Sequence, residues 1–153
     1  LIDTNHAAKV ATYMGDGAPI GGTMNDNFCH PTIYEVSPDQ LLARDEIFGP
    51  ILAVLTVSSF DEALKIANDT TYGLAASIFT ANGRAALRAA REVKAGTVTI
   101  NCYGEGDVTT PFGGYKQSGF GGRDNGIHAH DQYTELKTIW INLEDPKDGD
   151  TLD

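Results

Sequence analysis

The chain has little cysteine and no long apolar run. Its two cysteines, Cys29 and Cys102, do not make a disulfide framework or a zinc site, so a reducing cytoplasm is the expected location. No run of about 18 apolar residues occurs, and no membrane-spanning helix is predicted. Residues 1–5 lack the basic start and apolar centre of a signal peptide. These absences predict a cytoplasmic protein without a membrane partner.

Basic residues are also scarce. The 153 residues include 11 lysines and arginines against 21 aspartates and glutamates, which gives a formal net charge of −10. A nucleic-acid partner is not expected, because such proteins carry a basic patch or stripe. Part of the acidity falls in the tail, 144–153, which we expect to be disordered. No metal site is predicted, since no acid has metal-ligand spacing to any of the four histidines: His6, His30, His128 and His130.

A regular alternation of strand and helix patterns occupies the middle of the chain. Residues 51–57 form an apolar, β-branched run typical of a buried strand. Ser59 and Glu62 have capping-box spacing, and they predict a helix that ends near Asn68. The next patterns predict a strand, a helix and a strand over 74–79, 84–94 and 97–101. Strand–helix–strand with short links favours an α/β fold built on a parallel, right-handed sheet.

The helix predicted over 84–94 divides into two faces. Leu87, Ala90 and Val93 are expected to point inward, with arginines outward. Gly96 suits a left-handed stop after this helix. The beginning of the chain is less regular: a helix is predicted over 3–14, and an edge or irregular strand over 29–34.

An acid and an aromatic residue precede the strand at 51–57. In the segment Glu46-Ile-Phe-Gly-Pro50, the carboxylate of Glu46 can accept two hydroxyl hydrogen bonds from a ribose, and the ring of Phe48 can pack on a flat heterocycle. The alternative is a surface acid beside a core phenylalanine and a Gly-Pro turn. Composition alone favours this structural role, whereas the spacing to a second, glycine-rich segment favours a nucleotide site.

That second segment lies in a glycine-rich loop. Residues 101–124 hold seven glycines, and loops of this length in compact domains are usually functional. The loop contains Thr110-Pro-Phe-Gly-Gly-Tyr-Lys-Gln-Ser-Gly119, in which Gly113 and Gly114 permit a tight backbone path that a side chain would block. The alternative is a glycine loop with no special role.

Together, the two segments resemble the signatures of the NAD(P)-dependent aldehyde dehydrogenase family. The resemblance runs from about Leu1 to Leu143. It implies oxidation of an aldehyde to a carboxylic acid with NAD or NADP as hydride acceptor. It also implies a partial three-layer α/β catalytic subdomain over 1–117, a connecting segment over 118–132 and an oligomerisation strand over 133–143.

The resemblance assigns roles to particular residues. It places Glu46 on the nicotinamide ribose and Phe48 on the nicotinamide side. The residues that it places at the substrate mouth are Cys102, Glu105, Asp107 and Phe112. The family's nucleophilic cysteine and general-base glutamate belong to motifs that would precede Leu1. No catalytic residue is therefore expected, and the isolated chain is predicted to be an inactive fragment.

Neither cysteine of this chain is a good substitute for that nucleophile. His30 follows Cys29, but neighbouring side chains on an extended segment point to opposite faces. Cys102 follows a strand and lies near two acids, so a tunnel-lining role suits it better than that of a thiolate nucleophile.

The loop Gly104-Glu-Gly-Asp107 is closest to the aminoaldehyde and γ-glutamyl-γ-aminobutyraldehyde dehydrogenases. Glu105 and Asp107 would concentrate a substrate that carries an amine; the alternative is that both acids merely face water. One departure is an extra residue in Gly119-Phe-Gly-Gly-Arg123, which leaves the place of Phe120 open.

The last segment, 133–143, is apolar on both faces and needs cover from outside its own chain. In the family it crosses to a neighbouring subunit, so a homodimer or homotetramer through Tyr133–Leu143 is predicted. A different class of function remains open: a non-catalytic oligomerisation or assembly module that keeps the aldehyde dehydrogenase fold.

Overall fold

The computed structural model describes residues 1–15, 17–104 and 106–143. Glu105 and the acidic tail, 144–153, lie outside the described residues, so the predictions made for them stay predictions. Within the described part, the helices are α1 (Thr4–Ala11), α2 (Leu41–Arg44), α3 (Phe60–Asn68) and α4 (Gly83–Glu92). The strands are β1 (Met24–Asn25), β2 (Phe28–Cys29), β3 (Thr32–Glu35), β4 (Ile51–Val54), β5 (Ala75–Ile78) and β6 (Thr97–Ile100).

Side-chain caps begin the three longer helices. The Asp3 carboxylate accepts a hydrogen bond from the His6 amide at the start of α1, and Asn82 Oδ1 accepts two backbone amides at the start of α4. At α3 the predicted capping residue is confirmed, because Ser59 Oγ accepts the Glu62 amide at 3.2 Å. The Glu62 carboxylate reaches back to the amide and hydroxyl of Ser58, one residue earlier than a capping box requires.

The strands pair differently from the prediction. β3 is parallel to β4, and β5 is parallel to β6, so the predicted parallel direction is confirmed. The prediction of one sheet through β4, β5 and β6 is wrong for the described residues, since β4 pairs with β3 and not with β5. The reason is that a helical crossover sets the direction of the next strand but does not require the two strands to be neighbours.

Two patterns of burial also differ from the prediction. β4 is shorter than the predicted 51–57 strand, and its side chains alternate, with Leu52 and Val54 exposed. On α4 the buried residues are Ala86 and Ala89, whereas Leu87 is 58% exposed. Small side chains let α4 approach the strands closely, and Leu87 lies one residue, or about 100°, away from that face.

The segment 133–143 contains no regular helix or strand. Leu136 and Trp140 in this segment are almost completely exposed. A strand needs a hydrogen-bonded neighbour, so pairing of this segment with another chain stays a prediction. Within the described ranges, no helix is long and apolar enough to span a bilayer.

Candidate functional site

A cleft of about 560 Å³ opens between the β5–β6 pair and the glycine-rich loop. Its floor comes from residues of both strands and the residue before β5, and its walls come from the loop. The floor residues are Leu74, Ala75, Ala76, Ser77, Thr97 and Thr99; the wall residues are Tyr103, Gly104, Gly106, Asp107, Val108, Thr110, Pro111, Phe112 and Asn125. Two of the predicted mouth residues, Asp107 and Phe112, are therefore brought together in one cavity.

Phe112 closes one side of the cleft on a fixed backbone. Its amide and carbonyl exchange two hydrogen bonds of 2.7 Å with Asp124. Its side chain is 42% exposed, and it is one of the residues that line the cavity. The aromatic ring is thus available to a ligand while its main chain is held.

The glycines of the signature are required by close backbone contacts. A Cβ on Gly114 would lie 2.4 Å from the Ser118 carbonyl oxygen, which confirms that a side chain would block this path. A Cβ on Gly96 would lie 1.7 Å from the Gly113 carbonyl oxygen. The prediction of a left-handed stop at Gly96 is wrong, because Gly96 has no positive φ. It is needed where the start of β6 meets the signature.

Asp107 is an exposed carboxylate that also holds the loop. Its Oδ1 accepts the amide of Thr109 at 2.7 Å and the hydroxyl of Thr109 at 2.5 Å. The hydroxyl bond, followed by the amide bond, lowers the pKa of Asp107 below its ordinary value of 3.8. Asp107 is consequently anionic at neutral pH and lies at the edge of the cleft.

Of the other two predicted mouth residues, the structure describes only Cys102. Cys102 lies beside the cleft and not in its lining; its contribution is a backbone carbonyl that accepts the Thr99 hydroxyl at 2.9 Å. The reason is that Asn101, at the end of β6, has a left-handed backbone with φ of 56° and turns the chain away from the strand. Glu105 lies outside the described residues.

Glu46 and Phe48 lie in a separate exposed loop that packs against α1, and neither residue lines the cleft. The Phe48 ring is 75% exposed, and its backbone is left-handed with φ of 59°. His6 Nε2 lies 2.8 Å from the Phe48 carbonyl oxygen, and Gly49 packs against the buried Val10. The loop therefore presents an aromatic ring and a carboxylate to the outside on a supported backbone.

Sequence reasoning missed a set of hydrogen bonds that we call the clasp, which joins residues 115–118 to residues 68–73. In the clasp, the Tyr115 amide donates to Gly73 O (2.8 Å), the Gln117 amide donates to Thr71 O (3.0 Å), and the Gly73 amide donates to the side-chain oxygen of Ser118 (3.1 Å). Residues 68–73 therefore hold the signature segment in place.

Lys116 provides the charged part of the clasp. Its Nζ donates to the carbonyl oxygens of Asn68 and Thr70, each at 2.9 Å. Asn68 is the last residue of α3, and its side chain bonds the Glu92 carbonyl and the Lys94 amide. The general preference of lysine for helix C-termini could have suggested this role, but the partners are more than 40 residues apart, so no local spacing indicates it.

Among the described residues, no group of three or more histidine, cysteine, aspartate or glutamate side chains could hold a metal ion. His128 Nδ1 is 3.7 Å from an Asp131 carboxylate oxygen, and both side chains are exposed.

Comparisons with known proteins agree with this geometry. Residues 2–139 match the model of the "Aldehyde dehydrogenase family". An aminoacetaldehyde dehydrogenase of Pseudomonas aeruginosa is 53% identical over 150 residues, which cover 93% of this chain and 30% of that protein. The NADP/NAD-dependent aldehyde dehydrogenase PuuC of Escherichia coli is 46% identical over 152 residues, which cover 94% of this chain and 30% of that protein.

Solved structures give the same result. The γ-glutamyl-γ-aminobutyraldehyde dehydrogenase of Burkholderia cenocepacia superposes with a TM-score of 0.85 at 46% identity, over 94% of this chain and 31% of that one. An indole-3-acetaldehyde dehydrogenase of P. syringae, in complex with NAD+, gives 0.86 at 45% identity over the same shares. The predicted fold class, part of an α/β aldehyde dehydrogenase, is thereby confirmed. The chain spans about 30% of the length of these relatives, and it belongs to the aldehyde dehydrogenase family.

Proposed function

We propose that this chain is the C-terminal part of an enzyme that oxidises an aldehyde to a carboxylic acid with NAD or NADP. The observation that carries the proposal is the cleft between β5–β6 and the signature loop, closed by Phe112, in a chain of this family. The largely apolar surface of the cleft suits the carbon chain of an aldehyde, and the loop adds aromatic side chains and the carboxylate of Asp107.

The loop on α1 fits a bound dinucleotide. An exposed phenylalanine ring can pack on the nicotinamide side, and the exposed Glu46 carboxylate can accept the hydroxyls of the adjoining ribose. When bound, NAD or NADP supplies the acceptor for the hydride. The protein's part here is to hold the ring and ribose, with Phe48 supported by His6.

The nucleophile and the general base are assigned to the remainder of the enzyme. Cys29 Sγ is 3.8 Å from Met14 Sδ and 3.5 Å from the His30 carbonyl oxygen, neither of which is a base that could activate a thiol. Cys102 lies outside the cleft lining. We therefore expect this chain alone to be inactive.

The substrate class that fits best is an aldehyde with a distal amine. Asp107 is ionised at the edge of the cleft, and a carboxylate there concentrates cations. The relatives from P. aeruginosa and B. cenocepacia are named for aldehydes of this kind. Glu105 is assigned to the same loop, so its charge would add to that of Asp107.

A homodimer or homotetramer in the cytoplasm is the proposed form of the enzyme. The exposed apolar segment 133–143 supports the assembly, since large exposed apolar patches usually mark interaction sites. The same exposure favours the second candidate, a non-catalytic assembly module. The two are distinguished by whether the complete protein turns over an aldehyde.

The experiment compares the complete protein with its Glu46→Gln and Glu35→Gln variants. Glu35 lies on β3 and its carboxylate accepts the Thr56 hydroxyl, so Glu35→Gln is a matched control. With an aldehyde, the unaltered protein should form NADH or NADPH. Loss of a charged hydrogen bond to the ribose should weaken cofactor binding or slow hydride transfer roughly 10- to 100-fold in Glu46→Gln. Unchanged cofactor affinity and unchanged hydride transfer would remove Glu46 from the site.

A further inference from the structure

We propose that Lys116 is a positioning residue that sets the distance between Phe112 and the floor of the cleft, and with it the width of the mouth that admits an aldehyde. This inference rests on the proposed function, because it concerns the shape of the same cleft. Lys116 itself is not one of the residues that line the cavity.

The clasp lies where β5, β6 and the signature segment, which form three sides of the cleft, come together. Gly73 immediately precedes Leu74 and β5, and its carbonyl oxygen accepts the amides of Gly96 (3.0 Å) and Tyr115 (2.8 Å). Gly96 immediately precedes β6. Phe112 is separated from Tyr115 only by two glycines. A shift of the signature turn at the clasp would therefore move Phe112 relative to both strands of the floor.

Lys116 is the residue that ties this turn to α3. The carbonyl groups at a helix C-terminus carry partial negative charge, which an ammonium group stabilises. The Lys116 Nζ reaches one such carbonyl, that of Asn68, and also the carbonyl of Thr70, two residues beyond the helix. Its own backbone is left-handed, with φ of 53°, a conformation that non-glycine residues rarely adopt. The two side-chain bonds help to hold the turn in that conformation.

The other side of Phe112 is held by the paired hydrogen bonds to Asp124. Loosening the Lys116 end would let the turn shift and carry Phe112 with it about this pair, because only Gly113 and Gly114 separate Phe112 from Tyr115. The consequence should be a wider mouth, and not a loss of the cofactor site on α1.

The experiment uses the complete protein with Lys116→Met, Lys116→Arg and the control Lys65→Met, which removes another exposed lysine, on α3. Lys116→Met keeps the length of the side chain and removes the ammonium group. Its KM for a short aldehyde should rise roughly tenfold, which is only part of the effect expected for the two lost charged hydrogen bonds. The KM for a bulky aromatic aldehyde should rise less, and kcat and the KM for the cofactor should not change. Lys116→Arg keeps a positive charge, and its KM values should stay close to those of the unaltered protein.

Hydrogen exchange gives a readout that does not depend on turnover. The amides of Tyr115 and Gln117, which belong to the clasp, should exchange faster in Lys116→Met than in the unaltered protein or in Lys65→Met. Unchanged exchange at both amides, or an equal rise of KM for both aldehydes, would overturn the proposal. A protein that oxidises no aldehyde would contradict the proposed function, and exchange would still decide whether Lys116 holds the signature turn.

Discussion

At the scale of single residues, two residues of the signature segments have left-handed backbone conformations. Phe48 has φ of 59° and Lys116 has φ of 53°, and such a conformation costs a non-glycine residue about 1–2 kcal/mol. In each case a distant residue contacts the strained residue: His6 contacts the Phe48 backbone carbonyl oxygen, and the Asn68 carbonyl oxygen accepts a hydrogen bond from the Lys116 side chain. Strain of this kind is typical of residues that present a functional group.

The first prediction at this scale concerns Asp107. Asp107→Asn keeps an oxygen that can accept the Thr109 amide and hydroxyl, so the loop should be retained while the charge is lost. In the complete enzyme, kcat/KM for 4-aminobutyraldehyde should fall relative to that for an uncharged aldehyde of equal length. Asp131→Asn removes another exposed carboxylate and should leave the ratio unaltered. An unaltered ratio in Asp107→Asn would mean that Asp107 does not recognise the amine.

At the scale of elements, side-chain contacts determine where the helices start and how α4 is attached. Asn82 Oδ1 accepts the amides of Arg84 and Ala85. Arg88 on α4 pairs with Asp61 on α3 at 2.7 Å, and its guanidinium lies 5.1 Å from the centre of the Phe60 ring. α4 covers β5 and β6, so its stability bears on the floor of the cleft.

A prediction for α4 follows from its cap. Asn82→Ala should lower the free energy of unfolding by about 0.5–2 kcal/mol, because two amides of the first turn lose their acceptor. Asn82→Asp keeps an acceptor and should retain most of the stability. Urea unfolding of the three proteins is the measurement, and an equal loss in both variants would show that the cap does not contribute.

The strand pairs show what an element can and cannot reveal by itself. The apolar runs at 51–57 and 74–79 correctly indicated strands, and the helix between β5 and β6 correctly indicated that these two strands are parallel. The pairing of β4 with β5 was predicted incorrectly, since which strands are neighbours depends on segments that are distant in the chain. Ile33 lies opposite Leu52, across the segment that contains α2 and the Glu46–Phe48 loop.

At the scale of the whole molecule, the exposed segment 133–143 leads to a prediction about assembly. Ile139, Trp140 and Leu143 are exposed, and removal of such apolar side chains from water favours association. Deletion of residues 133–153 from the complete protein should reduce its mass in solution, measured by light scattering. Deletion of 144–153 alone is the control and should leave the mass per assembly essentially unaltered. Retention of both oligomeric state and solubility after the larger deletion would contradict strand exchange.

Acid stability is a second property of the whole molecule. The Arg44 guanidinium lowers the pKa of Asp69, the Ser37 hydroxyl lowers that of Asp39, and the Ser58 hydroxyl lowers that of Glu62. A carboxylate whose pKa is lower in the folded protein contributes stability above its unfolded pKa, and this contribution is lost as the pH falls through the folded value.

Thermal unfolding should therefore occur at lower temperature as the pH is reduced below the ordinary values of 4.5 for glutamate and 3.8 for aspartate. The Ser58→Ala variant removes the largest cause of the Glu62 shift, so its melting temperature should depend less on pH in this range. A melting temperature that is constant between neutral pH and pH values below 3.8 would contradict the linkage.

The sequence by itself determined the family, the local helix starts and the glycines of the signature. These features depend on short-range chemistry: a hydroxyl at Ser59 can cap only the helix that follows it, and Gly114 has no side chain that could collide with the Ser118 carbonyl oxygen. Glu46 and Phe48 lie in an exposed loop before a strand, as their order in the sequence had indicated.

Only the tertiary structure decided which of these residues share a site. Asp107 and Phe112 line the cleft, Cys102 lies beside it, and the Glu46–Phe48 loop lies on α1. The Lys116 ammonium group meets carbonyls more than 40 residues away, and the buried face of α4 is that of Ala86 and not Leu87. Such contacts depend on how separate elements pack, and packing between distant segments has no periodicity or spacing that the sequence could display.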